Sequence, residues 1–179
     1  MYDLPVERRW GQRLHPLPSV LALVRPADET PRYLLIRRQK PPYKGLWALV
    51  GGKWDFGEAM DMAVTREVRE ETGLQTAFVA LRGLVNERIA PEDDVAKGCH
   101  FLLFVCEVQV VSGEAQEQGE GPVGWFTPVE MAALHAEERM IATDYAIVKS
   151  FGINGEALPY VEVEVIAGEG GALTRFERQ

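Results

Sequence analysis

The sequence predicts an α+β fold with αβα layering, on three observations. The chain has 179 residues, long enough for one domain with a proper core. Its apolar runs are of strand length and are bounded by Gly- and Pro-rich turns. Between two of these runs lies a helix pattern with one apolar face, in which Met60, Val64 and Val68 recur at i+4 spacing with Ala63 beside them.

Residues 1–18 are polar, carry Pro5, Pro16 and Pro18, and read as an irregular entry arm. Val20 to Val24 and Tyr33 to Ile36 are short apolar runs joined by a turn-rich segment, and together they read as a hairpin. Arg37 to Gly45 is a loop, because Pro41 and Pro42 cannot donate to a ladder. Trp47 to Val50 is the next strand. A helix is expected over 60–72, ended by Gly73, which sits where a C-cap favours positive φ. Thr76 to Glu87 has strand composition, and an acidic loop follows at Pro91-Glu92-Asp93-Asp94. His100 to Val111 is the most strand-like run of the chain. A Gly/Glu-rich loop spans 112–124, and Trp125-Phe126 opens a short strand. Helices are expected at Pro128 to Leu134 and, longer, at Glu138 to Phe151, where Ile141, Tyr145 and Val148 share one side. From Leu158 to Val165 apolar and acidic residues alternate, as in a half-exposed strand, and Gly168 to Gly171 turn the chain back into 172–176. This hairpin reads first as an edge strand or a cover for the core, and second as a homodimer contact or a lid.

Charge and cysteine usage exclude several classes of function. A net charge of −8 argues against a broad nucleic-acid-binding surface. Cys99 and Cys106 make neither a disulfide framework nor a zinc spacing, so both read as small structural residues of a protein in a reducing cytoplasm. The charges near Met1 are followed by no apolar run, so no signal peptide is expected, and no stretch approaches the ~20 apolar residues that span a bilayer. His15, His100 and His135 show no metal or triad spacing and read as structural or solvated.

The chemistry concentrates on the helix over 60–72. Glu67, Glu70 and Glu71 stand at i, i+3 and i+4, so three carboxylates share one stripe and repel one another. Hard cations such as Mg²⁺ or Mn²⁺ relieve such crowding, since carboxylate oxygens are their preferred ligands. Arg66 lies four residues before Glu70 and next to Glu67, placed to hold a carboxylate by a charge-assisted hydrogen bond. A solvated surface helix explains the same composition, but it leaves the preceding turn, Gly51-Gly52 and Gly57-Glu58, without a reason.

Turn and helix together resemble the Nudix box, G-x5-E-x7-R-E-U-x-E-E-x-G-U, where U is a bulky aliphatic residue. Gly52, Glu58, Arg66, Glu67, Val68, Glu70, Glu71, Gly73 and Leu74 fill every fixed position without an insertion. Many members carry Pro before the double glycine, where this chain has Val50. The resemblance implies an α/β/α sandwich with a mixed sheet, here extended by a C-terminal hairpin. Its domain limits are then an N-terminal arm at 1–18, a Nudix hydrolase domain at 19–155 and an extension at 156–179.

The resemblance further implies Mg²⁺- or Mn²⁺-dependent hydrolysis of a nucleoside diphosphate linked to another group, with water attacking phosphorus in line with the leaving oxygen. In this mapping Glu67, Glu70 and Glu71 are metal ligands, the Gly51 carbonyl adds an oxygen, and Glu58 holds Arg66 or the turn. Glu67 serves as general base in certain members. Others take an extra glutamate from a loop, and here Glu120 is the first candidate for both base and ligand, with Glu117 next and Glu114 read as an exposed charge. Arg37, Arg38, Lys40, Lys44 and Lys53 are the candidate contacts to the substrate's phosphates and base. The substrate reading is a nucleoside triphosphate or oxidised dNTP, with ADP-ribose as the alternative, hinted at by Pro91. Two other classes fit the residues less well. A non-catalytic nucleotide-sensing regulator tends to lose the box glutamates, which are all present here. An isopentenyl-diphosphate isomerase needs a Cys ahead of the helix, and none precedes Cys99.

Overall fold

A computed structural model describes residues 15–28, 31–41, 43–89, 99–153, 155–166 and 172–178. The arm before His15 and the acidic loop with Pro91 lie outside the described residues. The elements run β1 (Leu17–Arg25), β2 (Tyr33–Arg37), β3 (Trp47–Lys53), α1 (Met60–Thr72), β4 (Gln75–Ile89), β5 (Cys99–Ser112), β6 (Val123–Phe126), α2 (Pro128–Ala136), α3 (Ala142–Ser150), β7 (Val161–Ile166) and β8 (Ala172–Arg178). Strands β4-β5-β1-β3-β2-β6 form one sheet in that order, and β7 pairs with β8 in a second, two-stranded sheet. The large sheet is mixed: β1 runs parallel to β5 and antiparallel to β3.

Alternation along β1 sorts the core into two layers, since successive side chains point to opposite faces. Val20, Ala22 and Val24 face α1 and pack with Met60, Ala63, Val64 and Val68. Leu23 faces the other way, with Leu35, Leu49, Met131, Leu134 and Ile147 under α2 and α3. Each fully buried Val, Leu or Met contributes roughly 1.5–3 kcal/mol, so the apolar stripe of α1 fixes that helix on the sheet. No helix among the described residues is long and apolar enough to cross a membrane.

Two expectations need correction. The two N-terminal runs do not form a hairpin, because β3 lies between them and pairs antiparallel with both. The glycine-bearing strand brings the apolar residues Ala48 and Val50 into the centre of the sheet, and centrality outweighs the short β1–β2 connection. The last helix begins at Ala142, not Glu138. Glu138 turns the chain with φ of 55°, and the segment after it is drawn alongside β3: Trp47 N donates to Arg139 O (2.8 Å) and Ile141 N to Trp47 O (2.9 Å). α2 has a complete capping box, in which Thr127 and Glu130 satisfy each other's backbone N–H and Pro128 stands in the first turn.

One buried charge was not anticipated. Glu107 of β5 is fully buried and is clamped by Arg82 (2.8 Å) and Arg25. Breaking such a pair would leave an uncompensated buried charge.

Candidate active site

The site grows from the junction of β3 and α1. Gly73 ends α1 in the left-handed region (φ 76°), its N–H bonded to Arg69 O at 2.9 Å. The C-terminal half of the helix therefore stops beside Gly51 and Gly52. Glu71 Oε2 accepts from Gly51 N at 3.1 Å. A Cβ built on Gly52 would collide with the Glu67 carboxylate, so glycine is required there for Glu67 to lie against the strand.

Arg66 organises the remaining carboxylates. Its Nε and Nη2 donate to the two oxygens of Glu58, each at 2.9 Å, in a bidentate pair. Its Nη1 reaches Glu67 Oε1 at 2.7 Å and Glu70 Oε2 at 3.3 Å, and Nη2 also donates to Lys53 O at 3.0 Å. This hydrogen bonding holds the Glu58 carboxyl below the usual range. Burial pushes Glu67 up, with Arg66 opposing. Burial also pushes Glu71 up to about 7; the Gly51 N–H opposes, and the charges of Glu67 and Glu120 add to the rise. Glu67 and Glu71 thus share the glycine pair, while Glu70 is half-exposed on the outer side of Arg66. No set of three His, Cys, Asp or Glu side chains among the described residues converges tightly enough to hold an ion as it stands. The Arg66 guanidinium spans Glu58, Glu67 and Glu70.

The loop residues take up specific places. Lys40 Nζ bonds Glu120 Oε1 at 2.7 Å, and Gln39 Nε2 bonds Glu117 Oε1 at 2.8 Å, so the 37–44 loop and the 112–124 loop are tied to each other. The charge of Glu120 is felt at Glu71, which puts it at the edge of the carboxylate group. Arg37 turns its Nε to Gly45 O at 3.0 Å. Lys44 is exposed on the same loop. Arg38 and Lys53 line a cavity, and the positive charge of Arg38 partly offsets both Glu71 and Asp144.

That cavity, about 220 Å³, is the part the sequence did not foretell. Leu21, Phe101 and Leu103 contribute to its lining, with Gly51 and Gly52 at one margin and Tyr43, Glu87 and Asp144 also around it. Tyr43 is held at φ 64°, a costly backbone state for a non-glycine residue. Asp144 is buried, and its Oδ2 accepts from Leu49 N at 2.7 Å. Burial raises its pKa to about 7. A signal for Asp144 was present: it falls three residues after Ile141 and four before Val148, an acid on an apolar stripe.

The NUDIX domain family model matches residues 15–149. The chain belongs to the Nudix hydrolase family. This Nudix protein is 36% identical over 139 residues to the ADP-ribose pyrophosphatase of Methanocaldococcus jannaschii, covering 77% of this chain and 78% of that one. It is 33% identical over 99 residues to the putative 8-oxo-dGTP diphosphatase 2 of Mycobacterium tuberculosis, covering 55% of this chain and 66% of that one. Among solved structures it resembles the MutT protein of Methanosarcina mazei Go1, with a TM-score of 0.59 and 25% identity over 76% of this chain and 94% of that one. As a Nudix enzyme it hydrolyses diphosphate linkages of small nucleotide substrates and uses divalent metal ions. The donors present fit a hard cation: carboxylates and a backbone carbonyl, with Glu67 and Glu71 brought side by side where Gly52 has no Cβ.

Proposed function

We propose that the protein hydrolyses a nucleoside triphosphate, including oxidised dNTPs, to the nucleoside monophosphate and diphosphate, with Mg²⁺ as its metal and Mn²⁺ as a substitute. The observation that carries this reading is the double role of Gly51 and Gly52. They touch the carboxylates of α1 and also border the cavity. A nucleotide whose base enters the cavity would therefore lay its phosphates beside Glu67 and Glu71.

Glu67, Glu70, Glu71, Glu120 and the Gly51 carbonyl are the groups that would hold the metal. Bound there, a divalent ion supplies neutralisation of the diphosphate and a lowered pKa for water. The chain's own residues do the rest. Arg66 keeps Glu67 aimed at the strand by its bond to that carboxylate and its anchor on Glu58. Glu120, whose charge is felt at Glu71, would accept a proton from the attacking water once Lys40 lets it go. Arg38 and Lys53 at the cavity and Lys44 and Arg37 on the adjoining loop offer positive charge to the phosphates. Tyr43 presents an aromatic face, and Asp144 and Glu87 present hydrogen-bonding groups, which together suit a heteroaromatic base.

A second reading, ADP-ribose hydrolysis, is favoured by the name and coverage of the M. jannaschii relative. Product analysis separates the two. Incubation of dGTP, 8-oxo-dGTP, ATP and ADP-ribose with Mg²⁺ or Mn²⁺ should release nucleoside monophosphate and diphosphate from the triphosphates. AMP and ribose 5-phosphate as the dominant products of the panel would select the second reading. Cleavage of no compound with either metal would overturn both.

A further inference from the structure

The N-terminus of α1 lacks a cap of its own. Its N-cap residue is Ala59, which has no side chain to accept a hydrogen bond. The first N–H groups of a helix have no partner within the helix, and leaving one unpaired in a buried place is costly. Met60, the first helical residue, is fully buried. Of the carboxylates nearest in sequence, Asp61 accepts from Met62 N at 2.9 Å and Glu58 has both oxygens taken by Arg66. The partner comes from the far end of the chain: Met60 N donates to Glu162 Oε1 at 3.1 Å, across 102 residues of sequence.

Glu162 is itself held in place. The Tyr160 hydroxyl donates to the same oxygen, and Tyr160 packs against the α1 side of the core. Just before it, Leu158 N donates to Leu81 O of β4 at 2.8 Å, so the segment leading into β7 is stitched to the large sheet. The hairpin β7–β8 thus delivers one carboxylate to the positive end of the helix macrodipole, where negative charge is favoured.

We propose that Glu162 is a positioning residue for the diphosphate-hydrolysing site. By capping α1 from the C-terminal extension it fixes the height and tilt of the helix that presents Glu67, Glu70 and Glu71. From Met60 to Glu67 the helix rises only about 10 Å, so a loosened first turn is felt at Glu67. The absent Cβ at Gly52 shows how little slack Glu67 has against the strand.

The proposal rests on the hydrolase reading only for its rate measurement. The test compares Glu162→Ala, Glu162→Gln and a control on the opposite, exposed face of the hairpin, Val163→Ala. Gln keeps an oxygen that can accept from Met60 N and loses only the charge. Three quantities are read in the full chain: hydrogen exchange of the amides at 60–63, Mn²⁺ affinity by electron spin resonance without substrate, and kcat with KM for the best nucleotide. Glu162→Ala should speed exchange at 60–63, weaken Mn²⁺ binding by about 10-fold and lower kcat by a similar factor with KM little changed. Glu162→Gln should recover most of each loss, and Val163→Ala should match the wild type. The proposal is overturned if Glu162→Ala leaves exchange and Mn²⁺ affinity at wild-type values, or if Gln is as impaired as Ala. It is equally overturned if the Ala losses vanish once the variants are compared at equal distance below their melting temperatures. A wild type that binds Mn²⁺ but cleaves no nucleotide would sink the hydrolase reading and leave exchange and Mn²⁺ affinity to decide the role of Glu162.

Discussion

Strand β3 receives one carboxylate from each helical layer, half-buried Glu71 and buried Asp144, and it holds the two in the same way. Leu49 N donates to Asp144 of α3, and Gly51 N donates to Glu71 of α1. Both amides turn to a side chain although Leu49 is in register with Leu35 of β2 and Gly51 with Leu21 of β1. Burial is the chief cause of a pKa of about 7 at both positions. Their surroundings differ. Glu71 lies with Glu67 in a crowd of acids managed by Arg66, and other carboxylate charges press on it. Asp144 lies at the margin of the cavity beside Tyr43, where the charge of Glu87 adds to the rise and that of Arg38 opposes it. The same backbone bond therefore serves two ends: one acid is kept where a cation can join it, the other where a protonated carboxyl can act as a hydrogen-bond donor.

The comparison breaks most visibly at Glu71. Glu71→Gln keeps an acceptor for Gly51 N and removes the charge, so kcat should fall by at least ~10²-fold, as for loss of a preorganised electrostatic group. The melting temperature should rise, because a charge buried beside Glu67 is gone. Glu70→Gln should cost a similar factor in kcat and leave the melting temperature nearly unchanged, since Glu70 is half-exposed. Steady-state kinetics with Mg²⁺ and thermal melts decide both. A Glu71→Gln variant with normal kcat would make Glu71 a second Asp144, a structural acid on a strand.

Gly52→Ala comes next. The new methyl would press first on the Glu67 carboxylate. A loss of roughly 10-fold in kcat is expected, together with a higher metal requirement, because a displaced ligand weakens the ion's hold. An unchanged metal titration would place the metal away from Glu67.

Asp144 is tested by pH. Its folded pKa, about 7, lies above the value of 3.8 for a free aspartate. Between those two values the folded state keeps a proton that the unfolded state has lost. The associated stability is therefore complete below about pH 4 and is lost as pH rises through 7. Urea midpoints should fall over that interval. In Asp144→Asn the decline should be shallower and should not vanish, because Glu71 titrates in the same direction. A decline as steep in Asp144→Asn as in the wild type would show that Asp144 does not carry this dependence.

What was legible in the sequence was what neighbours in sequence determine. The apolar stripe of α1, its stop at Gly73 and the Arg66–carboxylate spacing all lie within one helix, and the structure has the helix at 60–72 as expected. The box also announced the α/β/α layering. The insertion of β3 between β1 and β2 was hidden, because strand order is chosen by which strand buries best and not by loop length. The late start of α3 was hidden for a similar reason, since the segment before Ala142 bonds to Trp47, far away in sequence. The sequence offers base candidates on one loop and phosphate contacts on another without relating the two. They are joined by Lys40–Glu120 and Gln39–Glu117, a pairing that only tertiary structure creates. Asp144 was legible in principle from its place on the stripe, but a single acid on a helix face is an ordinary sight until its surroundings are known.

The smallest effect is expected at Lys40, and it sharpens the difference between the buried acids and Glu120. Lys40 and Glu120 are both well exposed, at 67% and 46%, so their pair contributes well under ~1 kcal/mol to stability. Lys40→Ala should leave the melting temperature within the error of the wild type. Its effect belongs to the substrate: if the ammonium leaves Glu120 for a phosphate, KM should rise by about 3-fold at low salt, and the rise should shrink as added salt screens the charge. Glu120 would then be unpaired before substrate arrives, so kcat in Lys40→Ala should be equal to or above that of the wild type. A lowered kcat with unchanged KM would mean that Lys40 holds Glu120 in its working position, and that the loop acid depends on its partner as Glu67 depends on Arg66.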